Sequence, residues 1–186
     1  TNGLSFRVMP AGSIFADKGP AAFVADDDPE ELLALSAILN SRAFGLLVSV
    51  QLARTELAQS YEVGLIQQTP VPPLPTAIRH LLAAKARRAW SLKRTLDTTT
   101  ETSHAFLLPT TLRPRLGDFD PPAIEAELAR IQAEIDAIAF DLYDFSEADR
   151  QAASGQDGAA EADTDEDEAV DDEADGVDQA SSMDAL

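Results

Sequence analysis

The residues best suited to chemistry are the cations of one short segment. Arg79, Lys85, Arg87, Arg88, Lys93 and Arg94 all fall within Thr76–Leu96, and from Val63 to Leu96 there is no acidic residue. In a chain of formal net charge −19, this segregation of sign carries information about partners. Arg79, Arg87 and Arg94 are spaced eight and seven apart, so a helix sets them along one side, where they could contact the phosphates of a duplex. Trp90 among them could stack on a base or pack beside an arginine. The competing reading is a solvated helix face with Trp90 covering the edge of the core. Gln67 and Gln68 precede a proline-rich stretch, and glutamine can read adenine bidentately in the major groove. Surface solvation is the alternative for both.

Other chemistries find little support. Asp120-Pro121-Pro122-Ala123 approaches the Asn/Asp/Ser-Pro-Pro-aromatic loop with which amino-methyltransferases grip a target amino group. Ala123 stands where an aromatic would stack on a flipped base. Asp120 as a helix cap followed by Pro121 in the first turn accounts for the same residues. There is no Gly-x-Gly loop for a nucleotide or S-adenosylmethionine. His80 and His104, the only histidines, lie on a helix and in the loop after it, and without cysteine they make a poor metal set. No nucleophile–base signature is present. The chemistry open to the chain is therefore binding.

The elements that must position these groups can be read from pattern. Leu4–Val8 alternates apolar and polar as a half-buried strand does. Pro10, Gly12 and Lys18-Gly19-Pro20 are turns, and residues 13–16 and 21–25 can pair across the last of them as a hairpin. Asp28-Pro29-Glu30-Glu31 starts a helix that runs to about Asn40, with Asn40 capping its C-terminus. Ser41 to about Gln59 reads as a second helix. Tyr61–Gln67 reads as a strand, and the four prolines in 69–75 end it. Thr76–Leu96 is a helix with Ile78, Leu81, Leu82, Ala89, Leu92 and Leu96 on the side away from the cations. Asp97–Gly117 is a turn-rich loop with one short strand at Ala105–Leu108. Asp120 opens a helix to about Leu142, whose Ile124, Leu128, Ile131, Ile135, Ile138 and Leu142 form the seam of a helix packed on a partner helix. Ser146–Arg150 starts a last turn of helix.

Charge separates body from tail. Residues 151–186 hold thirteen acids and no base, so the body, with twenty acids and fourteen bases, stands at only −6. The tail has too little apolar surface to offset chain entropy and is expected to be disordered, either as a solubilising tail or as a nucleic-acid mimic competing for the chain's own basic surface. The 186 residues suffice for one domain with a sizeable core, or a domain plus a tail. The lack of cysteine fits a reducing cytoplasm. No signal peptide or membrane-spanning run is apparent. Thr1 in place of Met is consistent with a fragment or a trimmed product.

Several short motifs occur in an order that resembles one family. Arg7-Val8-Met9-Pro10, Gly12-Ser13-Ile14-Phe15 and Lys18-Gly19-Pro20 resemble the strands that precede the helical part of certain DNA-recognition domains. Ala37-Ile38-Leu39-Asn40-Ser41-Arg42 is similar to the "LNS" helix end of TaqI-like specificity domains. Tyr61–Ile66 with Pro70-Val71-Pro72 resembles the strand and proline exit of that domain. Ile135-Asp136 through Leu142-Tyr143 resembles the C-terminal "ID..v..LY" helix, although Asp144-Phe145 stands where the family has a Gly-containing turn. The match covers about residues 4–150. It points to PglX-like adenine-specific DNA methyltransferases of BREX and DISARM phage-defence systems and to fused restriction-modification enzymes.

Pattern and resemblance together give an α+β fold, a small N-terminal β-sheet followed by helices, and composition adds a disordered acidic C-terminal tail. On the resemblance, residues 1–75 end a target-recognition region and 76–150 form a helical C-terminal region; residues 151–186, outside it, are the tail. The family's catalytic domain, which uses S-adenosylmethionine to methylate the adenine amino group, would lie upstream, so no cofactor and no catalytic residue is assigned to this chain. Expected partners are double-stranded DNA, the catalytic domain or subunit and other defence proteins, with no membrane. Arg79, Arg87, Arg88 and Arg94 are the first candidates for phosphate contact, then Trp90, Lys85, Lys93, Lys18, Arg42, Arg54, Gln67 and Gln68. The rival class is a protein-interaction module that docks through residues 121–142 and the basic helix.

Overall fold

The computed structural model describes residues 4–9, 12–14, 21–52 and 63–161. Among the described residues six α-helices follow in order: α1 (Pro29–Leu39), α2 (Arg42–Leu52), α3 (Val63–Gln68), α4 (Thr76–Asp97), α5 (Pro121–Leu142) and α6 (Glu147–Glu161). Single 3-10 turns occur at Ala25–Asp27 and Arg113–Leu116. No β-strand occurs among the described residues. The expected α+β fold with an N-terminal sheet is therefore corrected to an all-helical packing.

Local chemistry starts and stops the main helices. Asp28 caps α1 by accepting from the Glu30 N–H at 3.0 Å, with Pro29 in the first turn. Asp120 does the same for α5, accepting from the Ala123 N–H at 3.2 Å behind Pro121. Each cap satisfies one of the amide donors that a helix start leaves without partners. At Ser146-Glu147-Ala148-Asp149 a reciprocal capping box opens α6. The Asp149 carboxylate accepts from the Ser146 N–H at 3.0 Å, and the Asp149 N–H donates to the Ser146 hydroxyl at 3.3 Å. The Ser146 hydroxyl, donating to the same carboxylate at 2.6 Å, together with the Ser146 N–H holds the Asp149 carboxyl below its ordinary range.

The core is assembled from small and branched residues that let helices approach closely. Ala34, Ala37 and Ile38 of α1 meet Leu82 and Ala83 of α4, and Ile131, Ile135, Ala139 and Phe140 of α5 close the other side. The seam read along α5 is thus filled from within the chain, with Ile124, Leu128, Ile138 and Leu142 packed around it. A second cluster holds Leu39, Phe44 and Val48, with Phe6 set edge-on to Phe44 at 6.0 Å. No single described helix is long and apolar enough to cross a membrane; α1 and α2 reach the required length and composition only as a pair bent by 59°.

The missing strands have specific reasons. Leu4, Phe6 and Val8 are half-buried while Ser5, Arg7 and Met9 are exposed, as the alternation predicts. The segment pairs with a side chain instead of a second strand. Asn40 accepts from the Phe6 N–H at 2.9 Å and donates to the Phe6 carbonyl at 3.0 Å. Of the expected hairpin, residues 15–20 lie outside the described residues, and 21–27 end in a 3-10 turn with Phe23 exposed. The Tyr61–Gln67 strand is corrected to the helix α3 over its described part. Gly64, Gln67 and Gln68 face out at helical spacing and Ile66 packs inward, and a run this short cannot distinguish the two periods. Ala105–Leu108 is not a strand either, because the Leu107 and Leu108 N–H groups both turn back to the Thr98 carbonyl.

The end of α5 makes an unusual substitution for glycine. The Phe145 N–H donates to the Phe140 carbonyl at 3.0 Å and the Asp144 N–H to the Asp141 carbonyl at 3.2 Å, a Schellman closure. Asp144 takes the left-handed conformation, φ 54°, that glycine adopts without steric cost. Phe145 stacks on Phe140 at 5.7 Å, supplying the apolar contact of the motif. Replacing Asp144 with glycine is expected to stabilise the fold by about 1 kcal/mol, read as a higher urea midpoint at unchanged slope.

The helix begun at Ser146 runs on to Glu161, past the expected boundary of the acidic tail at 151. Ala153 is buried in the core, and Arg150 clamps the junction. Its guanidinium donates to Asp141 at 2.7 Å and lies 5.4 Å from the Phe140 ring centroid. Tertiary contact therefore extends the helix into a segment whose composition alone suggests disorder. Residues 162–186 lie outside the described residues.

Candidate nucleic-acid interface

The geometry of α1 and α4 creates the site. Near the N-termini of both helices, His80 Nδ1 of α4 meets the Glu30 carboxylate of α1. The two helices run in the same direction, but α1 has 11 residues and α4 has 22. Beyond the Glu30–His80 contact α1 has 9 residues and α4 has 17, so at 1.5 Å per residue the C-terminal part of α4 overhangs α1 by roughly 12 Å. The N-terminal segment and residues 102–105 close this overhang only in part. They leave a cleft of about 780 Å³ whose lining includes Ala37, Ala86, Ala89, Trp90 and Ile135. Short alanine side chains at 37, 86 and 89 keep it open. Arg7, Lys93, Arg94 and His104 also line it, with Asp97 the one carboxylate among its described lining residues.

The basic residues of α4 divide into two groups. Lys85 pairs with Glu134, and Arg88 binds Glu127 through two bonds of 2.8 Å. Both carboxylates belong to α5. Arg130 also pairs with Glu134. The hydrogen bond from Arg88 holds the Glu127 carboxyl below its usual range, and that from Lys85 does the same for Glu134. The Arg88 guanidinium is correspondingly raised by its bond to Glu127. These two cations join α4 to α5 and do not form part of an open face.

Arg87, Trp90, Lys93 and Arg94 form the other group. All four are exposed, and Trp90 keeps 53 % of its surface accessible. Among the described residues no carboxylate lies within salt-bridge distance of Arg87, Lys93, Arg94 or Arg7. The Arg94 guanidinium sits 5.5 Å from the Trp90 ring centroid, a spacing at which the cation and ring attract. Trp90 therefore stands at the edge of the cleft, outside the core.

The remaining candidates are scattered. Arg79 is half-buried beside Glu31, Leu35 and the Val71–Leu74 run, with its Nε buried there. Gln67 and Gln68 are exposed on α3 and do not line the cleft. Lys18 and Arg54 lie outside the described residues. Arg7 and His104 were not among the DNA-contact candidates. The outward position of Arg7 in the Leu4–Val8 alternation was the available signal, and nothing in the sequence brings it to α4.

Arg42 belongs to a buried clasp. Its N–H donates to Asp136 at 2.8 Å, and its Nε lies 3.7 Å from the same carboxylate, which is almost fully buried on α5. The Gln132 amide donates to Asp136 at 3.0 Å and to the Asn40 carbonyl at 3.2 Å. Ser41 Oγ accepts from the Phe44 N–H at 3.3 Å and donates to the Ile38 carbonyl at 2.7 Å. Asp136 thus sits at the N-terminus of α2, where the helix dipole favours a carboxylate. Farther along α5, the Tyr143 hydroxyl donates to the Pro70 carbonyl at 2.9 Å. The Leu39-Asn40-Ser41, proline-exit and Ile135–Tyr143 motifs are therefore coupled to one another through polar contacts. Asn40 does more than end α1, since its side chain also holds the N-terminal segment.

Burial pushes the Tyr143 phenol up to about 12. Its folded value exceeds the ordinary value near 10, so its contribution to stability is full below about pH 10 and is lost as pH rises through about 12. Tyr143→Phe is expected to flatten the loss of stability between pH 9.5 and 11.5 in urea titrations of the two proteins. An equal slope in both would contradict the burial of this phenol. No protein-family model, curated protein or solved structure matches this chain.

Proposed function

We propose that this chain is a DNA-contacting C-terminal portion of an adenine-specific (N6) DNA methyltransferase of a restriction-modification or phage-defence system. On this reading the catalytic, S-adenosylmethionine-dependent domain is a separate part of the same polypeptide or complex, working in the cytoplasm. The observation that carries the DNA assignment is the sorting of charge on α4. Lys85 and Arg88 are neutralised by α5 carboxylates, whereas Arg87, Lys93 and Arg94 have no carboxylate partner among the described residues and surround an exposed tryptophan. Guanidinium and ammonium groups without carboxylate partners are available to phosphates. The polar coupling between the family-like motifs supports the parent assignment, because it gives Asn40, Ser41, Asp136 and Tyr143 interdependent structural roles.

Ile131 and Ile135 of the α5 seam are buried inside the chain, so the alternative reading, a protein-interaction module, would dock through the basic helix α4. Titration of a fluorescein-labelled 20-bp duplex with the full chain at 50 mM salt tests the DNA assignment. Saturable binding that weakens with salt is expected, and no binding would overturn it.

A further inference from the structure

We infer that the cleft beside Trp90 receives a single unstacked nucleotide of a DNA strand, with its base on the indole and its flanking phosphates on Arg94, Lys93 and Arg7. This inference rests on the reading of α4 as a DNA-contacting surface and assigns a second, different binding mode to it.

Three features support the assignment. First, the cleft's volume of about 780 Å³ lies within the range of small-ligand sites. A smooth duplex cannot enter such a space, but a base rotated out of its stack can. Second, the chemistry is divided as a nucleotide requires. Ala86, Ala89 and Ile135 contribute apolar lining for a base or sugar. Trp90 offers an aromatic surface, and aromatic stacking accepts any base. Third, Arg7, Lys93 and Arg94 line the cleft against one carboxylate among the described residues, Asp97. Arg7 comes from the N-terminal segment and Lys93 and Arg94 from α4, so the cations reach the cleft from two elements. Asn40 fixes the first of these elements by its paired bonds to Phe6, the residue preceding Arg7.

Trp90 is the only tryptophan in the chain, so its fluorescence reports the cleft directly. The full chain is titrated with a 12-nucleotide oligo(dT), an intact 20-bp duplex, the same duplex with one unpaired central thymidine, and dTMP. Quenching of Trp90 by oligo(dT) and by the bulged duplex, with little quenching by saturating intact duplex, is the expected result. In parallel anisotropy titrations, Trp90→Ala should weaken oligo(dT) binding roughly 5- to 150-fold, the loss expected on removing one stacked base. It should change intact-duplex affinity less than twofold. Arg7→Gln, on the other element of the cleft, should also weaken oligo(dT) selectively.

Intact duplex that binds and quenches as strongly as the bulged duplex would overturn the cleft assignment and leave the DNA-contacting face standing. Equal affinity for dTMP and oligo(dT) would make the cleft a free-nucleotide site and also overturn it. Failure of every DNA to bind would remove both readings.

Discussion

Replacing Arg87, Lys93 and Arg94 together with glutamate is expected to abolish measurable duplex binding near physiological salt. Each phosphate contact releases counterions and contributes about 0.9 to the log–log salt slope, so any residual binding should show a slope smaller by about 2.7. The side chains are exposed and have no carboxylate partner among the described residues, so the fold should survive, as far-ultraviolet circular dichroism can verify. The sequence pattern alone would have placed Arg79 in this set. Its half-buried place beside Glu31 removes it, and Lys93 replaces it. The paired control is Lys85→Gln with Arg88→Gln. It deletes the same kind of charge from the same helix, but these cations are committed to Glu134 and Glu127. Duplex affinity in the control should stay within about threefold. A loss equal to that of the triple variant would mean that general charge, and not one face of α4, drives binding.

The second large effect concerns stability. Asp136→Ala is expected to cost about 3 kcal/mol, because a nearly buried carboxylate is withdrawn from partners that stay behind. The Arg42 N–H loses its acceptor at the start of α2, the Gln132 amide loses one of two acceptors, and the Arg42 guanidinium loses its nearby charge. Asp136→Asn keeps an acceptor oxygen while removing the charge and should cost roughly half as much. Urea unfolding of the three proteins measures the series. At temperatures where the variants remain folded, duplex binding should be unchanged, which separates the clasp from the DNA surface. Weakened binding at full folding would instead give Asp136 a part in recognition.

The sequence revealed those parts of the fold that are encoded locally. Asp28 and Asp120 fixed the starts of α1 and α5 through caps that need only the next few residues. The isoleucine seam at 124–142 correctly announced a packed helix, and α4 ends within one residue of its expected end. Non-local pairing was not legible. Leu4–Val8 carries the alternation of a strand, but its hydrogen-bonding partner is the side chain of Asn40, 34 residues away. The Val63–Gln68 run is too short for its period to decide between helix and strand. Residues 151–161 look like tail by composition, and burial of Ala153 is what binds the helix to the core.

The candidate site divides in the same way. The accumulation of cations on one helix was visible, since like charges at helical spacing need no tertiary information. The neutralisation of two of them was hidden, because Glu127 and Glu134 lie 39 and 49 residues downstream of their partners. The cleft was hidden too. It depends on the unequal lengths of α1 and α4 and on Arg7 arriving from the far N-terminus.

The most direct test of the central claim is a residue-resolved map of duplex binding on the full 186-residue chain. Amide and indole chemical-shift changes in a 15N-labelled sample supply it. The predicted result is a cluster of amide perturbations at Arg87, Lys93 and Arg94, with the Trp90 indole, Glu127, Glu134 and the Asp136 clasp little moved. Perturbations centred on α3 or on the outer side of α5, or none at saturating duplex, would contradict it.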